Sequence, residues 1–385
     1  MTTTTTVGII ANPASARDIR RLVAHGGAVT THDKLNRLQR VFAGLGAAGV
    51  ERVISMADRS GIMSGLLRLA ERRSADEWPV LEFLDHAITQ TEADTTTATR
   101  SMVGAGVGAI IVLGGDGTNR VVAASSEDVP LVSISTGTNN AFPRPVEPTV
   151  AGLAAGLVAT QQSIRQAGTY RSKTLRVQHD GRGENALVDV AIADTDRVGS
   201  GALWDATAIS ELWLSFAEPD AIGLSAIGGH VQPTSRRDPV GLSLLLGQPA
   251  AHVVRPPIGP GLLAPVAITS VSVLELDAPV VACARHGVIA IDGERMFRFG
   301  PADRPTITLR ADGPVVVDVT ATLEHAAQLG LLTRDLPDGA LPASPPPTDP
   351  IPREDQRDST QSTRDVHRDG PHSTVRIADP AGVPR

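Results

Sequence analysis

Between residues 7 and 160, short apolar runs rich in β-branched residues alternate with segments of helical period, and this alternation narrows the possible folds more than any other feature. The runs VGIIAN, ERVISM, VLEFLD, AIIVLGG and PLVSIST have strand length, whereas DKLNRLQRVFAGLGAAG and TEADTTTATRSMVGAG carry helical spacing. Strands that alternate with helices form a parallel sheet covered on both faces. Such sheets bind ligands beyond the carboxyl ends of their strands. Here those ends carry NPASARD, GGDGTN and STGTNNAFP, all small, polar and rich in turn formers.

After the helix-like TVAGLAAGLVAT the rhythm changes. KTLRVQHD, NALVDVAIAD, LWLSFAE, GLSLLLG, VAITSVSVLEL, GVIAIDGERMFRF, TITLRAD and PVVVDV follow one another with short turns, and ATLEHAAQLGLL reads as one last helix. The pattern predicts a mostly antiparallel β domain. The expected organisation is an α/β domain with a parallel, Rossmann-like sheet over 7–160, then a β-rich domain over 161–333. Residues 334–385 are proline-rich, charged and poor in large apolar side chains, so a disordered tail is predicted there. The N-terminal threonine tract is expected to fray. A cleft between the two domains is the default binding site.

Composition removes several function classes. Formal net charge is −7, from 35 basic and 42 acidic residues, and no long basic stretch interrupts the expected ordered region, which argues against a nucleic-acid partner. Aromatic residues make up 3% of the chain, too few for base-stacking platforms. The single cysteine, Cys283, excludes an intrachain disulfide, and within the apolar run VVACA it is expected to be a buried, inert thiol. The start MTTTTTVGII lacks the features of a secretion signal, and no stretch is apolar enough to span a bilayer, so no membrane association and a cytoplasmic location are expected.

The carboxylate inside GGDGT calls for a chemical explanation. Gly114, Gly115 and Gly117 would let the backbone take positive φ and approach a ligand, with the amides that open the next helix forming an anion pocket. The spacing fits neither the dinucleotide fingerprint nor the P-loop. A bare phosphate cradle would avoid an acid, so Asp116 either accepts a proton from an attacking hydroxyl, shares in holding Mg²⁺, or simply caps the helix. On the neighbouring strand end, Thr136, Thr138, Asn139 and Asn140 supply donors and acceptors that serve either as ligands or as turn chemistry. Asn12 and Ser15 in NPASARD offer similar groups, and Asp18 a helix cap.

Taken together, NPAS, GGDGTN and GTNNAFP on successive strand ends, followed by AIDGE in a β domain, resemble the superfamily of NAD kinases, diacylglycerol kinases and sphingosine kinases. With GLSAIGG and PPIGPGLLAPV added, the pattern is more closely similar to the NAD-kinase-like acetoin-catabolism X type, over roughly residues 7 to 320. That resemblance implies an ATP-dependent, Mg²⁺-assisted phosphotransferase acting on the 2′-hydroxyl of NAD⁺, with small nucleotides as partners and a homo-oligomeric assembly. It makes Asp116 the catalytic base, and Gly114, Gly115, Gly117, Thr118, Asn12, Thr136, Thr138, Asn139 and Asn140 the surrounding nucleotide contacts. The family's Asn-Glu pair falls on Val188 and Asp189, so Asp189 alone keeps an acid there. Ser225, Gly228 and Gly229 match the family's Ser-Ala-Gly-Gly run, but the hydroxyl-rich segment before it is replaced by AEPDAIG. Asp292 and Glu294 of the DGE motif correspond to catalytic acids of the lipid kinases, and equally fit a hairpin turn. The metal ligands are not specified. A non-catalytic nucleotide-binding regulator, or a kinase for a lipid or another small alcohol, would also suit this pattern.

Overall fold

A computed structural model of the chain describes residues 5–13, 29–71, 78–137, 139–193 and 206–333. The predicted tail 334–385, residues 1–4, Ser15, Asp18 and Thr138 lie outside these described residues.

The alternating half folds as expected. β1 (Thr6–Ala11), β2 (Arg52–Ser55), β3 (Val80–Phe83), β4 (Ala109–Gly114) and β5 (Leu131–Ser135) pair in parallel in the order β3-β2-β1-β4-β5. Every residue of β1 and β4 is buried, because helices cover both faces. Side chains alternate between those faces. Ala109, Ile111 and Leu113 enter a core with α1 (Thr31–Ala47), α2 (Ile62–Ala70) and α5 (Pro148–Thr160), whereas Ile110 and Val112 meet α3 (Glu92–Gly104) and α4 (Asp116–Ala123). Thr30 and Asp33 form a capping box that starts α1, satisfying two amides that otherwise lack partners. α1 and α5 touch backbone to backbone, since a methyl on Gly44 would sit 2.2 Å from the Thr149 carbonyl oxygen.

From β1 the chain runs outward to β2 and β3, and it then crosses to β4 on the other side of β1. The carboxyl ends of β1 and β4 therefore flank the point where the strand order reverses, where such sheets open a crevice for ligands.

The later half forms antiparallel sheets, also as expected. β9 (Asp189–Ala193), β10 (Ile209–Leu214), β11 (Val240–Leu246), β12 (His252–Val254), β15 (Val266–Glu275), β17 (Gly287–Ile291) and β18 (Arg295–Phe299) make one sheet, ordered β12-β15-β11-β10-β9-β17-β18. A second contains β7 (Thr174–His179), β8 (Arg182–Ala186), β16 (Pro279–Val281) and β19 (Thr306–Arg310), while β13 (Pro257–Gly259) and β14 (Leu262–Leu263) form a small ribbon. Leu175, Val177, Val190, Ile192, Trp213, Ile289 and Ile307 fill the layer between the two larger sheets. The opposite face of the larger sheet is covered in part by α7 (Leu224–Gly229), through Ile227.

Two features depart from the sequence reading. PVVVDV, expected in the antiparallel domain, is β20 (Val315–Val317), and it joins the first sheet parallel to β5 through Val316 and Leu131. β6 (Thr169–Arg171) pairs with β20 on its far side, α6 (Gln162–Gly168) precedes it, and α8 (Val319–Gln328) packs against α5 and α6. The antiparallel sheets are thus inserted into the first sheet rather than following it, and the expected range 161–333 contains segments of both. Strand pairing is set by tertiary contacts that a local apolar pattern does not encode.

The second departure concerns Cys283, which is exposed rather than buried. Alternation past the end of β16 turns Ala282 inward and Cys283 outward, and the buried Glu211 carboxylate accepts the Cys283 amide at 2.9 Å and the Ala284 amide at 2.6 Å.

Candidate active site

β4 ends at Gly114, Gly115 caps the next helix, and Asp116 is the first residue of α4. The three GGDGT glycines are not needed for left-handed backbone, because none has a positive φ. Methyl groups on Gly114, Gly115 and Gly117 would meet Thr118 at 2.5 Å, Asn140 Oδ1 at 2.7 Å and Glu294 Oε2 at 2.3 Å. These close approaches bring the separate motifs together: the second strand end and the DGE turn both press on the start of α4.

The β1 end joins them directly. Asn12 Nδ2 donates to Thr118 Oγ1 at 2.8 Å across the crevice, and the Asn12 amide bonds the Leu113 carbonyl at 3.1 Å. Asn12, Gly114, Gly115, Asp116, Gly117, Thr118, Asn140 and Glu294 thus converge on one place, although they come from four separate chain segments.

Asp116 is buried at the first position of α4. Its carboxylate reaches the loop after β5. Oδ1 accepts the Phe142 amide at 2.8 Å, and the Ala141 amide lies 3.2 Å from Oδ1 and 3.1 Å from Oδ2. Bonds from backbone amides to a carboxylate are charge-assisted and hold it in one orientation. The same two residues are held through their carbonyls by Arg236, which donates from Nη1 to Phe142 O at 2.7 Å and from Nη2 to Ala141 O. Arg236 also donates from Nε to Glu218 at 2.9 Å, with its guanidinium 4.0 Å from the Phe216 ring centroid.

Upstream in this loop, Asn140 Nδ2 donates to Ser135 Oγ at 2.9 Å, and Ser135 Oγ donates to the Gly137 carbonyl at 2.8 Å. Part of the Asn140 side chain is therefore spent on the turn itself. Thr136 Oγ1 and Asn139 Oδ1 differ: both are buried, and neither has a hydrogen-bond partner among the described residues. Buried polar atoms left without partners are costly.

The DGE motif divides between two roles. Asp292 and Gly293 take positive φ, as a tight hairpin turn requires, and the Asp292 side chain folds inward. Its Oδ1 accepts the amides of Leu187 and Val188 at 3.0 and 2.8 Å, and its Oδ2 pairs with Arg120 Nη1 at 3.1 Å. Burial pushes the Asp292 carboxyl above its ordinary value, against the opposing pull of Arg120 and these amides. Asp292 therefore locks α4 to the antiparallel sheet, and Glu294 is the acid of this motif that approaches the start of the helix. Asp189, buried at the start of β9, touches the same turn by accepting the Asp292 amide on its carbonyl at 2.9 Å.

Sequence reasoning missed Arg120, Arg236 and Asn119. Asn119 donates to the Gly115 carbonyl at 2.9 Å and accepts from Ser133 Oγ at 2.6 Å, fixing the first turn of α4. Its place directly after GGDGT was the available signal. Arg236, within TSRRDP, carried none. Ser225 of the Ser-Ala run donates to the Phe216 carbonyl at 2.9 Å, a bond within the scaffold. No group of three or more His, Cys, Asp or Glu suited to a metal ion occurs among the described residues, and none of their helices is long and apolar enough to cross a membrane.

A parallel sheet with polar loops at the β1/β4 reversal, joined to antiparallel sheets, is the arrangement of an NAD-kinase-like protein, and residues 7–162 match the ATP-NAD kinase N-terminal domain. Residues 173–312 match the acetoin catabolism protein X C-terminal domain. Over 343 residues, 87% of this chain and 95% of the relative, the sequence is 42% identical to "Acetoin catabolism protein X" of Cupriavidus necator. The chain belongs to the acetoin catabolism protein X family.

Proposed function

We propose that the protein is a phosphotransferase of the NAD kinase kind, moving the γ-phosphoryl group of ATP to the 2′-hydroxyl of NAD⁺. The observation that carries this reading is the buried Asp116 carboxylate, fixed in orientation at the head of α4 beside the strand reversal. Phosphoryl transfer depends chiefly on positioning and charge, so a pre-oriented carboxylate that accepts the acceptor proton is the protein's main chemical contribution. Thr136 and Asn139 would take polar groups of the nucleotides, and the amides opening α4 would take a phosphate. Mg²⁺ suits this site as a companion of the nucleotide phosphates, with the Glu294 carboxylate close to Gly117 at the start of α4, because this ion keeps several waters and needs few protein ligands. The substrates are cytoplasmic nucleotides, and the working assembly is a homo-oligomer.

The test incubates purified protein with Mg²⁺, ATP and NAD⁺, and follows NADP⁺ with an NADP-specific dehydrogenase. Product that vanishes in Asp116→Asn supports the reading, and full activity in that variant removes Asp116 as the base.

Two observations favour a second reading, a nucleotide-binding regulator without turnover. The Asp116 carboxylate already receives two backbone amides, and Val188 stands where the resemblance expects an asparagine. Tight NAD⁺ binding by calorimetry with no product from NAD⁺ would select it.

A further inference from the structure

Behind the loop that Asp116 holds lies a cavity of about 150 Å³, outside the strand-end crevice. β5, β6, β20 and the start of α8 wall it, and Arg144, Arg236 and Arg237 line it. Glu218 receives Arg144 Nη2 at 2.8 Å and Arg236 Nε at 2.9 Å, while Arg237 pairs with Asp318. Among the described residues of the lining, these three guanidinium groups and two carboxylates are the only charged side chains, which leaves one positive charge without a counterpart there. Arg144 and Arg237 are each about half exposed, and each uses one N–H donor on its acidic partner. Both therefore keep donors for an incoming acceptor. The rest of the wall mixes apolar side chains, among them Val132, Val146, Val316 and Phe142, with the hydroxyls of Ser133, Tyr170, Ser235 and Thr320.

We infer that this cavity binds a small aliphatic monocarboxylate, its carboxylate held between Arg144 and Arg237 and its hydrocarbon part against the valines. A single negative charge balances the lining, and two planar oxygens match guanidinium forks. A phosphate dianion would overbalance the charge and leave the apolar wall uncovered. Tyr170 supports the same ligand: its ring lies 4.7 Å from the Arg237 guanidinium, and burial raises its phenol above the ordinary value, so it stays neutral. The site connects to Asp116 through shared partners. Arg144 and Arg236 divide Glu218 between them, and Arg236 holds the carbonyls of Ala141 and Phe142. A carboxylate that draws Arg144 away leaves Glu218 to Arg236 alone and alters the grip on the loop.

Calorimetric titration of the full chain with sodium butyrate, at constant ionic strength, tests this. Butyrate is expected to bind at one site, with inorganic phosphate and butan-1-ol failing to displace it. The Arg144→Ala/Arg237→Ala double variant should weaken binding about tenfold or more with its unfolding transition intact, since charge-assisted hydrogen bonds are lost. Butyrate binding by the parent protein that is the same whether or not NADP⁺ is formed from NAD⁺ separates this site from the proposed kinase chemistry. No butyrate heat, unchanged affinity in the double variant, or displacement by phosphate would each overturn the assignment.

Discussion

Asp116 and Arg236 hold the same two residues through opposite backbone groups: the carboxylate accepts the amides of Ala141 and Phe142, and the guanidinium donates to their carbonyls. One partner comes from the first helix turn after β4, and the other from the segment between α7 and β11. The loop after β5 is thus fixed jointly by the parallel sheet and the inserted antiparallel part. A change on either side reaches Asn139 and Thr136, the loop residues whose buried polar atoms lack partners among the described residues.

Replacing Arg236 should therefore cost stability as well as activity. Arg236→Ala removes both carbonyl bonds and leaves Glu218, itself mostly buried, with only the exposed Arg144 as partner. Breaking a buried ion pair on one side costs about 3 kcal/mol or more. Chemical denaturation should show a loss of this size, with Arg236→Lys intermediate because a lysine cannot reproduce the planar fork. A change of under about 1 kcal/mol in Arg236→Ala would show that the loop does not depend on this grip.

The parts of this site differed in how readily the sequence revealed them. GGDGT, NPAS and GTNNAFP stood out because glycine and asparagine cluster where apolar runs end, a local signal produced by turn geometry. Alternation placed all three at the carboxyl ends of parallel strands, but their convergence depends on the strand order, which a local apolar pattern does not encode. Arg120 and Arg236 were hidden because a single arginine looks the same in a sequence whether it is solvated or buried against a carboxylate. The placement of β20 was hidden for a related reason: PVVVDV has the pattern of a strand in either sheet, and its contact with β5 joins residues far apart in the chain. Cys283 misled because one apolar run continues past the end of β16, where alternation turns its thiol outward.

Exposure of Cys283 gives a kinetic prediction. Burial of its surroundings and the neighbouring Glu211 carboxylate hold the thiol above its ordinary value of 9.0. Only the thiolate attacks a disulfide reagent. The folded protein should be labelled by an aromatic disulfide at one thiol per chain without denaturant, slowly near neutrality, with the rate still rising past pH 9. Labelling that requires denaturant, or a rate that levels off below pH 8, would contradict this placement.

Steric room distinguishes two glycines. Gly44→Ala would drive a methyl into the Thr149 carbonyl, 2.2 Å away on the facing helix backbone, so α1 and α5 must separate. Overpacking of this kind costs about 1–3 kcal/mol. Gly117→Ala meets only the end of the Glu294 side chain, which can swing aside, and alanine favours a helix by up to about 1 kcal/mol. Equilibrium unfolding should show a clear loss for the first and little change for the second. Equal losses would mean that Glu294 is as rigid as a backbone.

Lys173 provides a pH signature for the segment that carries Arg236. Its ammonium is buried just before β7 and donates to the carbonyls of Ser235 and Val240 at 3.0 and 2.6 Å. Desolvation lowers its pKa from 10.5 to about 8, with Asp238 and Glu218 opposing. The sign follows from linkage. Between about pH 8 and 10.5 the unfolded chain retains a proton that the folded chain has released, so this group adds stability as pH rises through that window. Below pH 8 both states carry the proton, and the folded state bears the full cost of burying the charge. Lys173→Met has no group to titrate there. Its unfolding free energy relative to the parent should fall steadily from pH 8 to pH 10 as the parent gains, whatever its offset at neutrality. A parallel pair of stability curves over that range would show that the lysine keeps its ordinary pKa, and that the carbonyls of Ser235 and Val240 fully compensate its burial.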